Sequence, residues 1–399
     1  MKKNIIFSLL SIIVAIFIAT SAHATNGMRM IGFGPVQDSM GGVSVGVPLD
    51  AASVLTNPAG MSFLTGRIDF GASYFKPLVK YKATGAAPGV VANDGVTIDS
   101  DRGASPVPAF GLIIPINDNL RFGIGAYGIA GMGVDYKSNL YSSVTYTSYS
   151  QMRFAPGLSY KINDIVSVGA AVNIMYGTME FNAGGGLPHM GASSFGYGAT
   201  FGVLIKPIDM IQIGLAYETE SFFEDYKFNT AAGQDRIEFN QPQTATVGFG
   251  IKPVKDLVIG FDVQWINWSQ TVGENLPKYK ANGSGAMPWN MDWDDQFVYK
   301  VGIQYAVHPM VTLRAGYNYG KMPLNSNRAF ENMAFPAVSE HHITAGIGLN
   351  LTKNLTVNVG GMYSPPAKIT GANLMQQGIV SYETEMSQYS IDTGISYTF

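Results

Sequence analysis

The side chains best suited to chemistry are few, and their spacing works against it. Gly123-Ile124-Gly125-Ala126-Tyr127-Gly128 has the spacing of a dinucleotide fingerprint, but such glycines serve only where a strand turns into a helix that offers its N-terminus to a pyrophosphate. No helical period follows, so no nucleotide site is expected. His341 and His342 are adjacent; on a strand they point to opposite faces and share no metal. Asp292, Asp294 and Asp295, near Trp289 and Trp293, read as a solvated acidic loop, since carboxylates alone do not make a calcium cage; divalent bridging to lipopolysaccharide is the other reading. No Ser/His/Asp set or carboxylate pair stands on a frame for catalysis. The chain has no cysteine, which removes thiolate chemistry and a disulfide framework. No enzymatic activity, cofactor or metal is expected, and the function must lie in the elements themselves.

Those elements are strands. In the last of them Tyr389, Ile391, Thr393, Ile395, Tyr397 and Phe399 fall on one face, and Gln388, Ser390, Asp392, Gly394, Ser396 and Thr398 on the other, because side chains alternate across a strand. The same period recurs at Leu257 to Trp265, Phe297 to Tyr305 and Val311 to Tyr319. Short polar turns, such as Asn117-Asp118-Asn119, Asn163-Asp164 and His308-Pro309, alternate with longer glycine-containing connections: 83–103, 137–142, 182–190, 229–235, 271–292, 321–336 and 365–380. Six short turns and seven long loops link fourteen strands. Only 13% of residues are charged, against about 25% in ordinary soluble chains, and 47 are glycine. A sheet whose apolar face meets lipid needs few charges, and in lipid it must close on itself. The fold class is therefore an all-β membrane protein, a fourteen-stranded antiparallel transmembrane β-barrel with an N-terminal plug, or hatch, inside the lumen.

Three domains are expected: a signal peptide over 1–24, a plug over 25–66 and the barrel over 67–399. Lys2 and Lys3, the apolar run Ile5 to Ala19 and Ala22-His23-Ala24 have the form of a secretory signal; the run is shorter than the roughly 20 residues a spanning helix needs. Removing the two lysines leaves 23 basic against 28 acidic residues, with no basic footprint for nucleic acid. Tyr74, Tyr160, Tyr217, Trp265, Trp268, Tyr363 and Tyr397 suit interfacial girdles. Phe399 resembles the terminal signal read by the outer-membrane assembly machinery. The location expected is the outer membrane of a Gram-negative bacterium, with outer-membrane lipid, lipopolysaccharide and that machinery as partners.

The segment from Thr25 to Thr65 has no period of two. It contains a short helical candidate, Asp50 to Leu55, and closes on Asn57-Pro58-Ala59-Gly60; Pro58 biases Asn57 toward an extended or turn conformation. Its apolar positions, including Met28, Met30, Ile31, Phe33, Met40 and Val43, argue against a solvated tail. A barrel of this strand number leaks unless filled, so the segment reads as the filling.

An amino-terminal plug ending in Asn-Pro-Ala, the stretch from Gln241 to Gln270 with Trp265-Ile266-Asn267-Trp268-Ser269, and Leu313 to Leu324 together resemble the FadL/TodX-type family of outer-membrane transporters for long-chain fatty acids and aromatic hydrocarbons. The resemblance covers essentially the whole mature chain. It implies passive transport of a hydrophobic small molecule by a monomeric barrel: capture at the outer loops, a pocket in the upper lumen, and lateral exit where the third strand kinks inward as the plug changes conformation. Asn57, Pro58, Ala59 and Gly60 are then the gating candidates. The third strand, Leu120 to Tyr136, loses alternation over Ala126 to Gly133; Tyr127, Gly128, Gly131 and Gly133 are the candidates for the kink. Pocket candidates are Arg153, Arg314, Met190, Phe195, Met287, Trp289, Trp293 and Phe335. Family members that take fatty acids meet the carboxylate with basic residues, whereas Asn173 to Phe181 has none, so a fatty acid and a neutral hydrocarbon both stay open. A general porin, an adhesin or phage receptor, and an outer-membrane hydrolase are the rival readings.

Overall fold

The computed structural model describes residues 26–85, 94–137, 144–183, 187–230, 233–280, 290–371 and 379–399. Fourteen antiparallel strands form one closed sheet, each paired with its neighbour in sequence and the first paired with the last. Six are tall, with 17 to 22 residues: β1 (Arg67–Gly85), β4 (Val144–Lys161), β5 (Val166–Ala183), β6 (Leu187–Ile208), β13 (Leu355–Gly371) and β14 (Ile379–Thr398). β2 (Ser105–Pro115) and β3 (Leu120–Met132) are shorter. β7 (Ile211–Glu218), β8 (Thr244–Val254), β9 (Leu257–Ile266), β10 (Gln296–His308), β11 (Val311–Gly320) and β12 (His341–Asn350) have 8 to 13 residues. A tilted strand crosses a bilayer in about 9 to 11 residues. One side of the wall thus stands well above the membrane while the other barely spans it.

The outward face is the alternation of the sequence made visible. Val247, Phe249 and Ile251 of β8, Val301, Ile303 and Tyr305 of β10, and Ile391, Ile395 and Tyr397 of β14 are exposed, while their neighbours in sequence face the lumen. Tyr74, Tyr160, Tyr217, Tyr363 and Tyr397 are 41 to 53% exposed and stand on this outer face. Trp268 does not; it opens a short helix, Trp268–Val272, and is fully buried against Trp293. Among the described residues no helix is long and apolar enough to cross a membrane.

Several boundaries differ from the sequence reading. The connections expected over 182–190 and 229–235 carry strand at 182–183 and 187–190 and at 229–230 and 233–235. The connection expected over 365–380 is largely strand: β13 passes Pro365 and Pro366 with a register shift between Ser364 and Ala367 and continues to Gly371. Prolines are tolerated at such a bulge, because the ladder is already interrupted there. The third strand stops at Met132, short of Tyr136, and the helical candidate at Asp50 to Leu55 forms one turn at Ser53–Thr56.

Residues 26–66 lie inside the ring. Their side chains are almost all buried, and they touch lumen-facing positions right around it: Pro35 lies against Gly71 and Gly394, Gly46 against Gly248, and Pro58 and Ala59 against Gly169. At Gly46 a β-carbon would lie 2.5 Å from the Gly248 carbonyl carbon. Backbone meets backbone there, and only glycine on both sides permits it.

Candidate functional site

A chain that is neither helix nor strand must find partners for its buried N–H and C=O groups elsewhere. In residues 37–60 the barrel wall supplies them. The Asp262 carboxylate on β9 accepts from the backbone N–H of Ser44, Val45 and Gly46 at 2.8, 3.0 and 3.4 Å. Lys300 on β10 donates to the carbonyls of Ile31 and Gly42, Thr344 on β12 accepts from the Gly41 N–H, and Arg67 and Asp69 on β1 hold Leu49 O and Ala51 N. Asn57 caps the 3-10 turn Pro58–Phe63, its side-chain oxygen accepting from Ala59 N while its amide donates to Val45 O at 2.9 Å and to Val203 O of β6 at 3.1 Å. Ser159 and Ser167 donate to Ala59 O. Pro58 and Ala59 are thus fixed against β4 and β5.

Asn57→Ala removes the donor to two buried carbonyls and the cap of the turn. At about 1 to 3 kcal/mol for each buried group left unsatisfied, stability is expected to fall by roughly 2 to 4 kcal/mol, read as earlier loss of the folded, heat-modifiable band on a gel. An unchanged transition would mean that the segment relaxes around the change.

Residues 26–30 are held differently. Asn26 and Arg29 close a turn on each other. The backbone of Met28 and Met30 pairs with β3, Gly131 N donating to Met28 O and Met30 N to Ile129 O, both at 3.0 Å. Arg29 forms a bidentate pair with Glu218 of β7, at 3.2 and 2.7 Å, and Arg153 of β4 joins the same carboxylate. All three side chains are at most 7% exposed. Arg153 Nε and Nη1 have no hydrogen-bond partner, and two guanidiniums share one carboxylate. A cavity of about 40 Å³ beside the triad, lined by Arg29, Gln37, Thr200, Thr244, Glu218 and Lys300, has room for water and none for a ligand. The Trp268 ring lies over Gly27, 2.6 Å from where a β-carbon would stand.

β3 leaves the wall where its backbone turns to those residues. It pairs with β2 only from Arg121 to Tyr127, and its register with β4 shifts between Gly128 and Ala130. From Gly125 to Met132 every residue is buried, so alternation is lost. β2 meanwhile continues along β1 to Ser105. An antiparallel ladder that runs unbroken through Pro106 and Pro108 has them at non-hydrogen-bonded positions, so their missing N–H groups face the edge that β3 has vacated. Gly128 sits in this gap against Val107, whose Cγ1 lies 2.6 Å from the position of a β-carbon on Gly128. Gly133 lies beyond β3, against the Thr147 backbone.

Outer loops close the mouth. Ala334 O accepts from Thr147 Oγ1 at 2.6 Å, Met333 O accepts from Tyr136 at 3.3 Å, and Phe335 packs edge-on against Phe181. Trp293 donates to Asn332, and Tyr81 stacks on Tyr382, which meets Phe330. Nearer the gap, Asp101 pairs with Lys137, whose ammonium holds that exposed carboxyl below the usual carboxylate range.

The pocket candidates scatter. Arg153, Trp293 and Phe335 are buried in or above the upper lumen. Arg314 lies near the turn end of β11, bonded to Gln304 and Asn358, so it belongs to the lower wall. Phe195 faces outward, 49% exposed beside Tyr176, on the wrong side of β6 for a lumen pocket. Met190 lies in β6 opposite Phe181, with its side chain outside the described residues, as are Met287 and Trp289. Sequence reasoning missed Arg29 and Glu218; a charge at the centre of an otherwise apolar segment, and one at the end of a membrane strand, were the available signals.

The profile of a family described as outer membrane protein transport protein (OMPP1/FadL/TodX) matches residues 16–399. No curated protein matches the chain. Among solved structures, a FadL homologue of Pseudomonas aeruginosa is 17% identical, with 94% of this chain and 100% of that one covered and a TM-score of 0.77. The P. putida toluene transporter TodX is 18% identical over 92% and 99%, with a TM-score of 0.73. The Ralstonia pickettii toluene transporter TbuX is 17% identical over 92% and 99%, at 0.66. At these identities the likeness is one of fold.

Proposed function

Since the chain belongs to the outer membrane protein transport protein family (OMPP1/FadL/TodX), a family of outer-membrane channels rather than enzymes, we propose that it carries hydrophobic compounds inward through the gap between β2 and β3. The observation that carries this reading is the departure of β3 after Tyr127, with the amino-terminal residues 28–30 occupying its edge. The wall there is completed by the segment that fills the lumen, so movement of residues 26–30 changes the wall and the lumen together. Residues 37–60, held by charged and polar side chains of many strands, act as the fixed part of the plug, with Asn57, Pro58, Ala59 and Gly60 at its base. The apolar surface of Met28, Met30, Tyr127, Ile129 and Met132 suits the hydrocarbon part of a ligand. No covalent step or energy input is needed.

The charge of the triad favours a ligand with a carboxylate. Two guanidiniums against one carboxylate leave an excess positive charge in a buried setting, and Arg153 has two orphan nitrogens to offer; one further carboxylate would be met by charge-assisted hydrogen bonds. The test is uptake of radiolabelled long-chain fatty acid and of toluene, supplied separately to cells whose outer membrane lacks other hydrophobic transporters. Arg153→Met leaves the Arg29–Glu218 pair intact and is expected to lower fatty-acid uptake about tenfold or more, the worth of a hydrogen bond to a charged group, with toluene unaffected. Toluene uptake alone in the unaltered protein would make the ligand a neutral hydrocarbon. Uptake of neither would sink the transport reading.

A further inference from the structure

The outer surface carries two unusual rows above one another. Across β6 to β10 the residues Phe201, Tyr217, Ala245, Trp265 and Phe297 are direct cross-strand neighbours in that order. Four aromatics thus flank a single alanine on the lipid-facing side, and the notch is a groove of about 490 Å³ floored in part by Val247. These positions lie at the loop ends of β7, β8, β9 and β10, where the wall is lowest.

The wall then continues beyond the barrel. After β7 the chain rejoins β6, with Phe222 and Phe223 opposite Tyr197 and Gly196, and enters a three-stranded sheet of Tyr226–Thr230, Gly233–Glu238 and Lys278–Lys280. One face of this sheet is core: Tyr226, Phe228 and Ile237 are at most 2% exposed, and Tyr226 reaches the lumen-facing Gly177 of β5. The other face is therefore the exterior. On it Lys227 stands opposite Arg236 and Arg236 opposite Lys280, all three exposed. Like charges directly opposite on a sheet face are destabilising, and among the described residues none of the three forms an ion pair, whereas the adjacent Lys278 is paired with Glu238. A row of three cations that form no ion pair among the described residues, standing on the exterior of the wall above a membrane-facing notch, fits an anionic headgroup whose tail enters the notch.

We infer that this exterior surface binds one molecule of the outer leaflet's lipopolysaccharide, with its phosphates on Lys227, Arg236 and Lys280 and one acyl chain in the notch at Ala245. The aromatic row supplies the apolar contact and the belt expected at that depth. The cations supply the attraction to phosphate, each on the order of a fivefold gain near an anionic surface. This site is separate from the lumen and independent of what is transported.

The test uses the full-length folded protein in detergent and native mass spectrometry with two probes, hexa-acylated lipid A bearing two phosphates and the same lipid A dephosphorylated. The unaltered protein is expected to hold one phosphorylated molecule and to bind the dephosphorylated form up to about a hundredfold more weakly, three cations at the gain each provides. The Lys227→Gln/Arg236→Gln/Lys280→Gln variant should bind both forms alike, and Ala245→Trp, which fills the notch from the lipid side, should weaken both. Equal affinity of the unaltered protein for the two forms overturns the inference without reference to any variant. So does a triple variant that keeps its preference for phosphate, or one that retains lipid A but loses fatty-acid uptake, which would assign the cations to the transported ligand.

Discussion

Uptake of the hydrophobic ligand is expected to fall at least tenfold when Val107 and Gly128 are both replaced by cysteine and the pair is oxidised, and to recover on reduction. Val107 Cγ1 lies 2.6 Å from the β-carbon position of Gly128, which puts the two β-carbons close to the roughly 3.5–4.5 Å that a disulfide spans. The chain has no cysteine of its own, so no competing bridge forms. The bond would tie β2 to β3 across the stretch where their ladder ends, between Ala109 and Ser105 on one side and beyond Tyr127 on the other. A lateral exit needs that stretch to widen; a route straight down the lumen does not. The reduced double variant should transport normally, which separates the bridge from the loss of Val107 and Gly128 themselves. Full transport by the oxidised double variant would move the exit elsewhere.

Replacing Glu218 by alanine has the second large effect. The carboxylate is shared by Arg29 and Arg153, and the three side chains are 6, 0 and 7% exposed for Arg29, Arg153 and Glu218 respectively. Its loss strands two like charges in a buried place, and breaking a buried ion pair from one side costs about 3 to 5 kcal/mol. Because residues 37–60 keep their own ties to β1, β9, β10 and β12, the loss should fall on residues 26–30. Limited proteolysis should cut within them in the variant and spare them in the parent, with the barrel still heat-modifiable. Replacing all three by Met, Met and Leu should restore most of the stability, since a well-packed apolar substitute for a buried ion cluster is often neutral. If the Glu218→Ala protein is as resistant as the parent, the triad is not what holds the amino terminus.

These two experiments probe parts that were unequally legible. The kink was readable at Ala126 to Gly133, because loss of alternation and clustered glycines are local signals, yet the partner that makes use of it was not: Met28 and Met30 lie about a hundred residues away in sequence and carry no periodicity of their own. Arg153 was a candidate as an isolated charge on a membrane strand. Its partners Arg29 and Glu218 come from the amino-terminal segment and from β7, and no spacing rule joins positions 29, 153 and 218. Phe195 was misplaced for a simpler reason. Alternation says that neighbours face opposite ways but not which way, and in a barrel with a polar and glycine-rich interior an aromatic residue belongs outside unless something inside covers it. Trp268 failed in the opposite sense: as an aromatic residue at a strand end it was assigned to the outer belt, but it is out of phase with Trp265, β9 ends at Ile266, and two residues later the chain has turned inward to cover Gly27.

The sequence by itself determined the closed barrel, its strand count, the alternation of short turns and long loops, and the need for something inside. Each of these follows from one-dimensional regularities: a period of two, the spacing of turn residues, the low charge of a wall that faces lipid, and a stretch of some forty residues that obeys none of these patterns. Only the tertiary structure decided which wall residues hold each part of that stretch, where β3 parts from β2, and that Lys227, Arg236 and Lys280 stand side by side. Those facts depend on pairings between distant positions that closing the sheet brings together, and on the demand that every buried backbone group find a partner, which the lumen meets with whatever side chain the opposite wall happens to present.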